Sequence, residues 1–238
     1  MHRCSVTRSI EIVPGDMGDY RKLACYHYRS RELTAYAAVF AMRFGKETVG
    51  VIVYTMPSMG LELRNVATGG FFCGLDRATR LSLINRNIRC IGRVVIEPRF
   101  RGLGLAVRLV RETMPKMGFG IIEAAAVMGL VNPFFERAGM TAYRAPMPAR
   151  CVRMLEAFSL VGIEEKELAE PQEVHRKVGR LGEEQRCFIE HQIRGFLQSY
   201  GKSRNIKPGP ERTRFVLSKL TERPVYYIWF NKQIAFSV

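Results

Sequence analysis

Apolar and polar residues alternate along the first 150 positions in short stretches that change period several times. Residues 5–13 read as a first strand and residues 18–28 as a helix. Two β-rich runs follow at 36–44 and 48–54, joined by Gly45-Lys46-Glu47, which is the pattern of a hairpin. A glycine-rich connection over 55–75 leads to Asp76, placed to cap a helix ending near Asn87. Val94, Val95 and Ile96 are a β-branched run that Pro98 ends, because proline cannot donate to a ladder. Leu105, Leu109 and Val110 then recur at helical spacing. Residues 121–128 form another apolar strand, Asn132 and Pro133 read as N-cap and first residue of a helix, and residues 141–145 as a further strand.

Beyond Pro146 and Pro148 the period is helical, over 149–160, 171–181, 183–200 and 211–220, with a loop at 201–210. A strand-like run, 225–230, closes the pattern. The expected organisation is an α/β (α+β) catalytic domain over 1–148, and a mainly helical C-terminal extension over 149–238 that ends in that strand-like segment. A chain of 238 residues buries a sizeable core, and its 47% hydrophobic content is ordinary for a globular protein.

Chemistry concentrates at 93–106. A strand, a turn containing Gly102 and Gly104, and a helix opening at Leu105 and Ala106 leave backbone N–H groups pointing outward at the positive end of a helix dipole. Glycine lets a phosphate approach the backbone closely. The segment suits a phosphate or pyrophosphate. This segment holds no Gly-Lys-Ser/Thr triplet of a Walker loop, and Ala106 stands where a dinucleotide fingerprint would have its third glycine.

The pattern Arg101-x-x-Gly104-x-Ala106 after a strand ending in proline resembles the acetyl-CoA pyrophosphate loop of the GCN5-related N-acetyltransferase (GNAT) superfamily. The upstream hairpin, and Phe134-Phe135-Glu136-Arg137-Ala138-Gly139-Met140, which resembles the superfamily's Leu-Tyr-x-x-x-Gly-Phe signature, extend the likeness over roughly residues 5–146. Within the superfamily the chain looks like the acetyltransferase-like module found with some ABC-type ATPases, and more weakly like phage Mom DNA-modification proteins. The resemblance implies a mixed, splayed central sheet flanked by helices, an acyl-CoA (acetyl-CoA) cosubstrate, and transfer of the acyl group to an amine. It implies that Val94, Val95 and Ile96 hold the pantetheine arm, that the N–H groups of Arg101, Gly102, Leu103, Gly104, Leu105 and Ala106 hold the pyrophosphate, and that Asn132 and Phe135 close the site. The tyrosine usually assigned to protonate the CoA thiolate is Phe135 here, which has no hydroxyl.

Three residues are candidates for proton transfer. Glu123 lies inside the apolar run 121–127, either at a strand edge or in a cleft. His27 sits between Tyr26 and Tyr28, either packed by them at a helix end or facing the acceptor. Tyr143 is a candidate acid. The six cysteines include no Cys-x-x-Cys pair, which argues against a zinc site and a disulfide framework. No metal is expected. Met1-His2-Arg3-Cys4-Ser5 leads into no apolar leader, and no apolar run is long enough to span a bilayer, so a cytoplasmic protein without a membrane partner is expected.

Charge adds a second theme. The chain carries +15, and residues 1–150 hold 22 basic against 11 acidic residues. Between Arg77 and Arg111 nine arginines, among them Arg80, Arg86 and Arg89, are interrupted by one acidic residue, Glu97. Guanidinium favours bidentate phosphate contacts. Either Arg77, Arg80, Arg86 and Arg89 meet a polyanion such as tRNA, rRNA or DNA, or they form a solvated basic face. Two functions follow: an acyl-CoA-dependent N-acyltransferase acting on an amine, on or near nucleic acid, or a nucleic-acid-binding or -modifying protein of the same fold with little acetyl transfer.

Overall fold

Among the described residues seven strands form one mixed sheet: β1 (Ile10–Pro14), β2 (Tyr36–Phe44), β3 (Glu47–Thr55), β4 (Ile88–Ile96), β5 (Ile121–Ala126), β6 (Thr141–Tyr143) and β7 (Val225–Phe230). Their spatial order is β1-β2-β3-β4-β5-β7-β6. Every neighbouring pair is antiparallel except β4 and β5. These relations come from a computed structural model, which describes residues 9–27, 35–130, 132–221 and 224–234.

Strand alternation sends one set of side chains to each face. Val39, Val51, Val53 and Val95 meet Tyr20 and Leu23 of helix α1 (Met17–Leu23). Their neighbours Ile52 and Tyr54, with Ile91, Ile122 and Ala124, pack on helix α4 (Leu105–Thr113) through Leu105, Leu109 and Val110. Helix α2 (Glu62–Ala67) and helix α3 (Arg77–Asn87) bracket a third cluster in which Phe72 and Ile84 cover Ile88, Ile121, Tyr226 and Ile228. Leu109 is fully buried, so truncating it to alanine should cost about 2–5 kcal/mol. The start of α1 is fixed by a capping box, in which Asp16 accepts from Asp19 N–H and Asp19 from Asp16 N–H. Asp19 also accepts from Thr48 and Arg43, which ties the helix to the hairpin.

Several boundaries differ from the sequence reading. Strand β4 begins at Ile88, directly after α3, because polar Arg89, Cys90 and Arg93 sit in it and mask its pattern. Strand β5 ends at Ala126, and Val127–Leu130 form a 3-10 turn whose Gly129 carbonyl accepts from the Tyr227 hydroxyl. Helix α5 is only Phe134–Arg137. Its N-cap is Pro133 and not Asn132, since Pro133 has a non-helical ψ of 44°. Helix α2 arises inside the glycine-rich connection, where no helix was expected. Residues 5–8 of the expected first strand, and Tyr28, lie outside the described residues.

The second unit, Ala145–Arg223, has its own core. Helices α6 (Ala149–Leu160), α7 (Pro171–Arg180), α8 (Glu183–Leu197) and α9 (Pro210–Thr221) enclose Met154, Phe158, Val174, Ile189, Ile193, Phe196, Val216 and Leu217. Arg212 grips Glu190 with both guanidinium arms, at 2.7 and 2.5 Å. The expected division at 148 moves, and the terminal run changes sides. Val225–Phe230 pairs between β5 and β6 in the first unit. Val225, Tyr226, Tyr227 and Ile228 are all buried, so both faces of this strand are covered, as in an internal strand and not the tail of an appendage. The helical unit is therefore an insertion between two strands that pair with each other, Tyr143 opposite Tyr226.

Candidate functional site

Strands β4 and β5 run parallel for only four rungs, from Ile88 opposite Ile121 to Ile91 opposite Ala124. Above them the two strands part. The opening coincides with a bulge: Tyr54 of β3 pairs with Ile91 and Val53 with Arg93, leaving Gly92 as the extra residue. A bulge bends its strand and raises the local twist, which turns the upper half of β4 away from β5 while β3 keeps its hold. The Glu97 N–H donates to Val49 of β3. Backbone groups alternate sides along a strand, so those of Val94 and Ile96 point the other way, to the open edge. Arg101 reaches back to the Ile96 carbonyl at 3.1 Å and to the Tyr26 carbonyl at 3.4 Å. The side chains of Val95 and Ile96 are buried and that of Val94 half-buried, so this edge is a backbone surface.

That edge leads straight into the glycine turn. Gly102 and Gly104 have φ of 79° and 73°, the left-handed region that favours glycine. A β-carbon built at either would meet nothing within 4 Å, so the backbone there borders open space. Gly104 is the N-cap of α4 and no side chain caps it. Arg108 N–H is the first to bond back to Gly104, which leaves the N–H groups of Leu105, Ala106 and Val107 without intrahelical partners. The Arg101 N–H, expected to be part of this set, is instead bonded to the Pro98 carbonyl. Leu103 is 41% exposed, while Leu105 anchors the helix in the core.

The other expected site residues are scattered. Phe135 is buried in the core with its ring centre 5.0 Å from that of Tyr227. Asn132 is exposed. Tyr143 lies on the edge strand β6, its ring against Tyr226, with β7 and β5 between it and β4. His27 is half-buried and follows the 3-10 turn Ala24–Tyr26, which the Arg101–Tyr26 bond ties to the glycine turn. Arg77 and Arg86 are exposed on α3, nine residues apart, which puts them about 180° apart around the helix. Arg80 is half-buried and donates to the Leu75 carbonyl. Arg89 lies over the Phe119 ring and donates to the Asn85 and Ile88 carbonyls. The four do not share one face. None has a carboxylate within ion-pair distance among the described residues.

Glu123 is wholly buried on β5 opposite Cys90. Its Oε1 accepts from Arg64 at 2.7 Å, and its Oε2 from Arg64 at 2.8 Å and from the Tyr226 hydroxyl at 2.9 Å. Burial works against the Arg64 charge, and the Glu123 carboxylate more than offsets it. Burial, then the Glu123 charge, pushes the Cys90 thiol up to about 12 and raises the Tyr226 phenol, so both stay protonated. Sequence reasoning found Glu123 but not Arg64 or Tyr226. The available signal was Arg64 lying between Leu61 and Ala67, three positions to either side at helical spacing. Among the described residues no group of three or more His, Cys, Asp or Glu side chains is arranged to hold a metal ion, and no helix is long and apolar enough to cross a membrane.

No family model and no curated protein matches the chain. Among solved structures it is similar to a GNAT family acetyltransferase from Elizabethkingia anophelis with acetyl-CoA bound, at 14% identity over 57% of this chain and 78% of that one, with a TM-score of 0.39. It is also similar to an IAA acetyltransferase from Bacillus cereus, at 13% identity over 57% and 79% of the two chains and a TM-score of 0.38. A third is an agmatine N-acetyltransferase variant in its apo form, at 13% identity over 56% and 83%, with a TM-score of 0.37.

Proposed function

We propose that the protein is an acyl-CoA-dependent N-acyltransferase. The observation that carries this reading is the continuity of two backbone surfaces: the open edge of β4 at Val94 and Ile96, and the uncapped N-terminus of α4 behind Gly102 and Gly104. A ligand matching both has an extended arm bearing amides, to pair with a strand edge, followed by a pyrophosphate, to sit on free N–H groups. Pantetheine linked to a diphosphate has that form. Residues 92–96 span about 16 Å at strand rise, room for the arm.

On this reading the thioester lies at the mouth of the fork. An N–H of the open β4 edge polarises its carbonyl, and the acceptor amine attacks the carbonyl carbon. The C–N bond forms, the C–S bond breaks, the amine loses a proton, and CoA leaves as thiolate or thiol. His27 is the candidate base best supported, because its segment is tied to the glycine turn. Glu123 is not suited to that role, since Arg64 and Tyr226 occupy its carboxylate and its side chain is wholly buried.

The acceptor on this reading is an amine. The test is a thermal shift with acetyl-CoA, followed by thiol release with polyamines, basic protein, tRNA and DNA offered as acceptors. A raised Tm with thiol release on one acceptor class supports the reading. No shift with any CoA ester at millimolar concentration would remove it.

A further inference from the structure

We infer that Arg64, Glu123 and Tyr226 form a buried clamp that fixes where β4 and β5 part, and so act as positioning residues for the strand edge above. The inference rests on the acyl-CoA reading for its consequence, and on the fold alone for its geometry.

Four parallel rungs are a short ladder, and parallel pairing is slightly weaker per residue than antiparallel. Glu123 stands on the third rung, opposite Cys90, one step below the last rung and two below the Gly92 bulge. Its carboxylate gathers three elements. Arg64 comes from α2, Tyr226 from β7, and Glu123 itself from β5. The same guanidinium donates to the Ser58 carbonyl at 2.5 Å and the Met59 carbonyl at 3.4 Å, so it also closes the turn that leads into α2. Helix α2 has six residues and no side-chain cap. A helix that short is marginal by itself, and the two-armed grip on Glu123 fixes its place.

The chemistry indicates a geometric role. A buried ion pair is often no more stable than apolar residues of equal volume, and its best-attested use is to specify one arrangement among several. Apolar side chains at these positions would fill the space yet let α2 and β5 slide. A planar guanidinium on a carboxylate permits one register. Arg64 and Glu123 are 1% and 0% exposed, so neither meets a ligand directly.

The experiment compares wild type with Arg64→Lys and with the triple variant Arg64→Met, Glu123→Leu, Tyr226→Phe, in the full chain. Amide hydrogen exchange without ligand is read at residues 88–91 and 121–124 against residues 39–43 and 50–53 of the hairpin. Both variants should exchange tenfold or more faster at the parallel rungs while the hairpin amides keep wild-type rates. Kd for acetyl-CoA should rise tenfold or more in both, with the triple variant melting within a few degrees of wild type. Arg64→Lys keeps the charge but loses the two-armed geometry, and it decides the matter if the triple variant does not fold. Wild-type exchange at the rungs in Arg64→Lys overturns the clamp. Faster rung exchange in a protein whose wild type binds no CoA ester leaves the clamp standing and removes the acyl-CoA reading instead.

Discussion

Replacing Gly104 with alanine separates backbone strain from ligand contact. Gly104 has φ of 73° and open space where a β-carbon would lie. Alanine in the left-handed region costs about 1–2 kcal/mol, which for a domain of this size lowers Tm by roughly 2–8 °C. The added methyl group projects into the space the pyrophosphate would fill. Losing one charge-assisted hydrogen bond there costs about 1.5–3 kcal/mol, or roughly 10- to 150-fold in Kd. At a concentration about 100 times the wild-type Kd, ligand stabilises the wild type by about 2.7 kcal/mol. The variant should retain only about 0.3–1.4 kcal/mol of that. Gly118→Ala is the control: its φ is 68° and its surroundings are equally open, but it lies beyond the far end of α4, about 20 Å away at helical rise. It should lose similar stability and keep the full acetyl-CoA shift. If both variants keep the full shift, or both lose it equally, the glycine turn is not the phosphate cradle.

Replacing residues 145–224 with Asn-Gly should join β6 to β7 as a two-residue hairpin. The first unit should then still melt cooperatively and bind acetyl-CoA, and loss of its tertiary circular dichroism would show that the insertion supports the sheet. Burial would raise the Asp19 carboxyl, but hydrogen bonds from Thr48 and the Asp16 N–H and the charges of Arg43 and Lys22 outweigh it and hold it below the ordinary range. Its stabilisation is therefore complete above about pH 4 and is lost as pH falls through the lower folded value; urea midpoints of Asp19→Asn should show a shallower acid loss than wild type. Arg89→Ala should lower stability by about 1 kcal/mol through the Phe119 contact and the helix-end carbonyls, whereas Arg86→Ala should leave Tm unchanged. If tRNA binds through α3, only one of Arg77→Ala and Arg86→Ala, which lie on opposite sides of the helix, should flatten the slope of log affinity against log salt, by about 0.7 to 0.9.

What was legible in the sequence follows from where the period of the chain is clean. The hairpin at β2 and β3, the glycine turn and the apolar stripe of α4 each obey a local rule, and each appears where the residues place it. The first half of β4 did not, because Arg89, Cys90 and Arg93 serve neighbours that only the fold supplies: a helix end, a buried carboxylate, a bulge. The same reason hid the insertion. Val225–Phe230 was readable as a strand, but its partners β5 and β6 lie about 80 to 110 residues back in the chain, and no local pattern records such a return. Glu123 shows the limit most sharply. A carboxylate in an apolar run signals that something compensates it, by proton transfer or by a buried cation. The run itself cannot distinguish these. The deciding residue, Arg64, is 59 positions away on a helix too short and too glycine-flanked to announce itself. On the acyl-CoA reading proposed above, the chemistry falls to the backbone edge of β4, and the proton to a group on the exposed side of the fork.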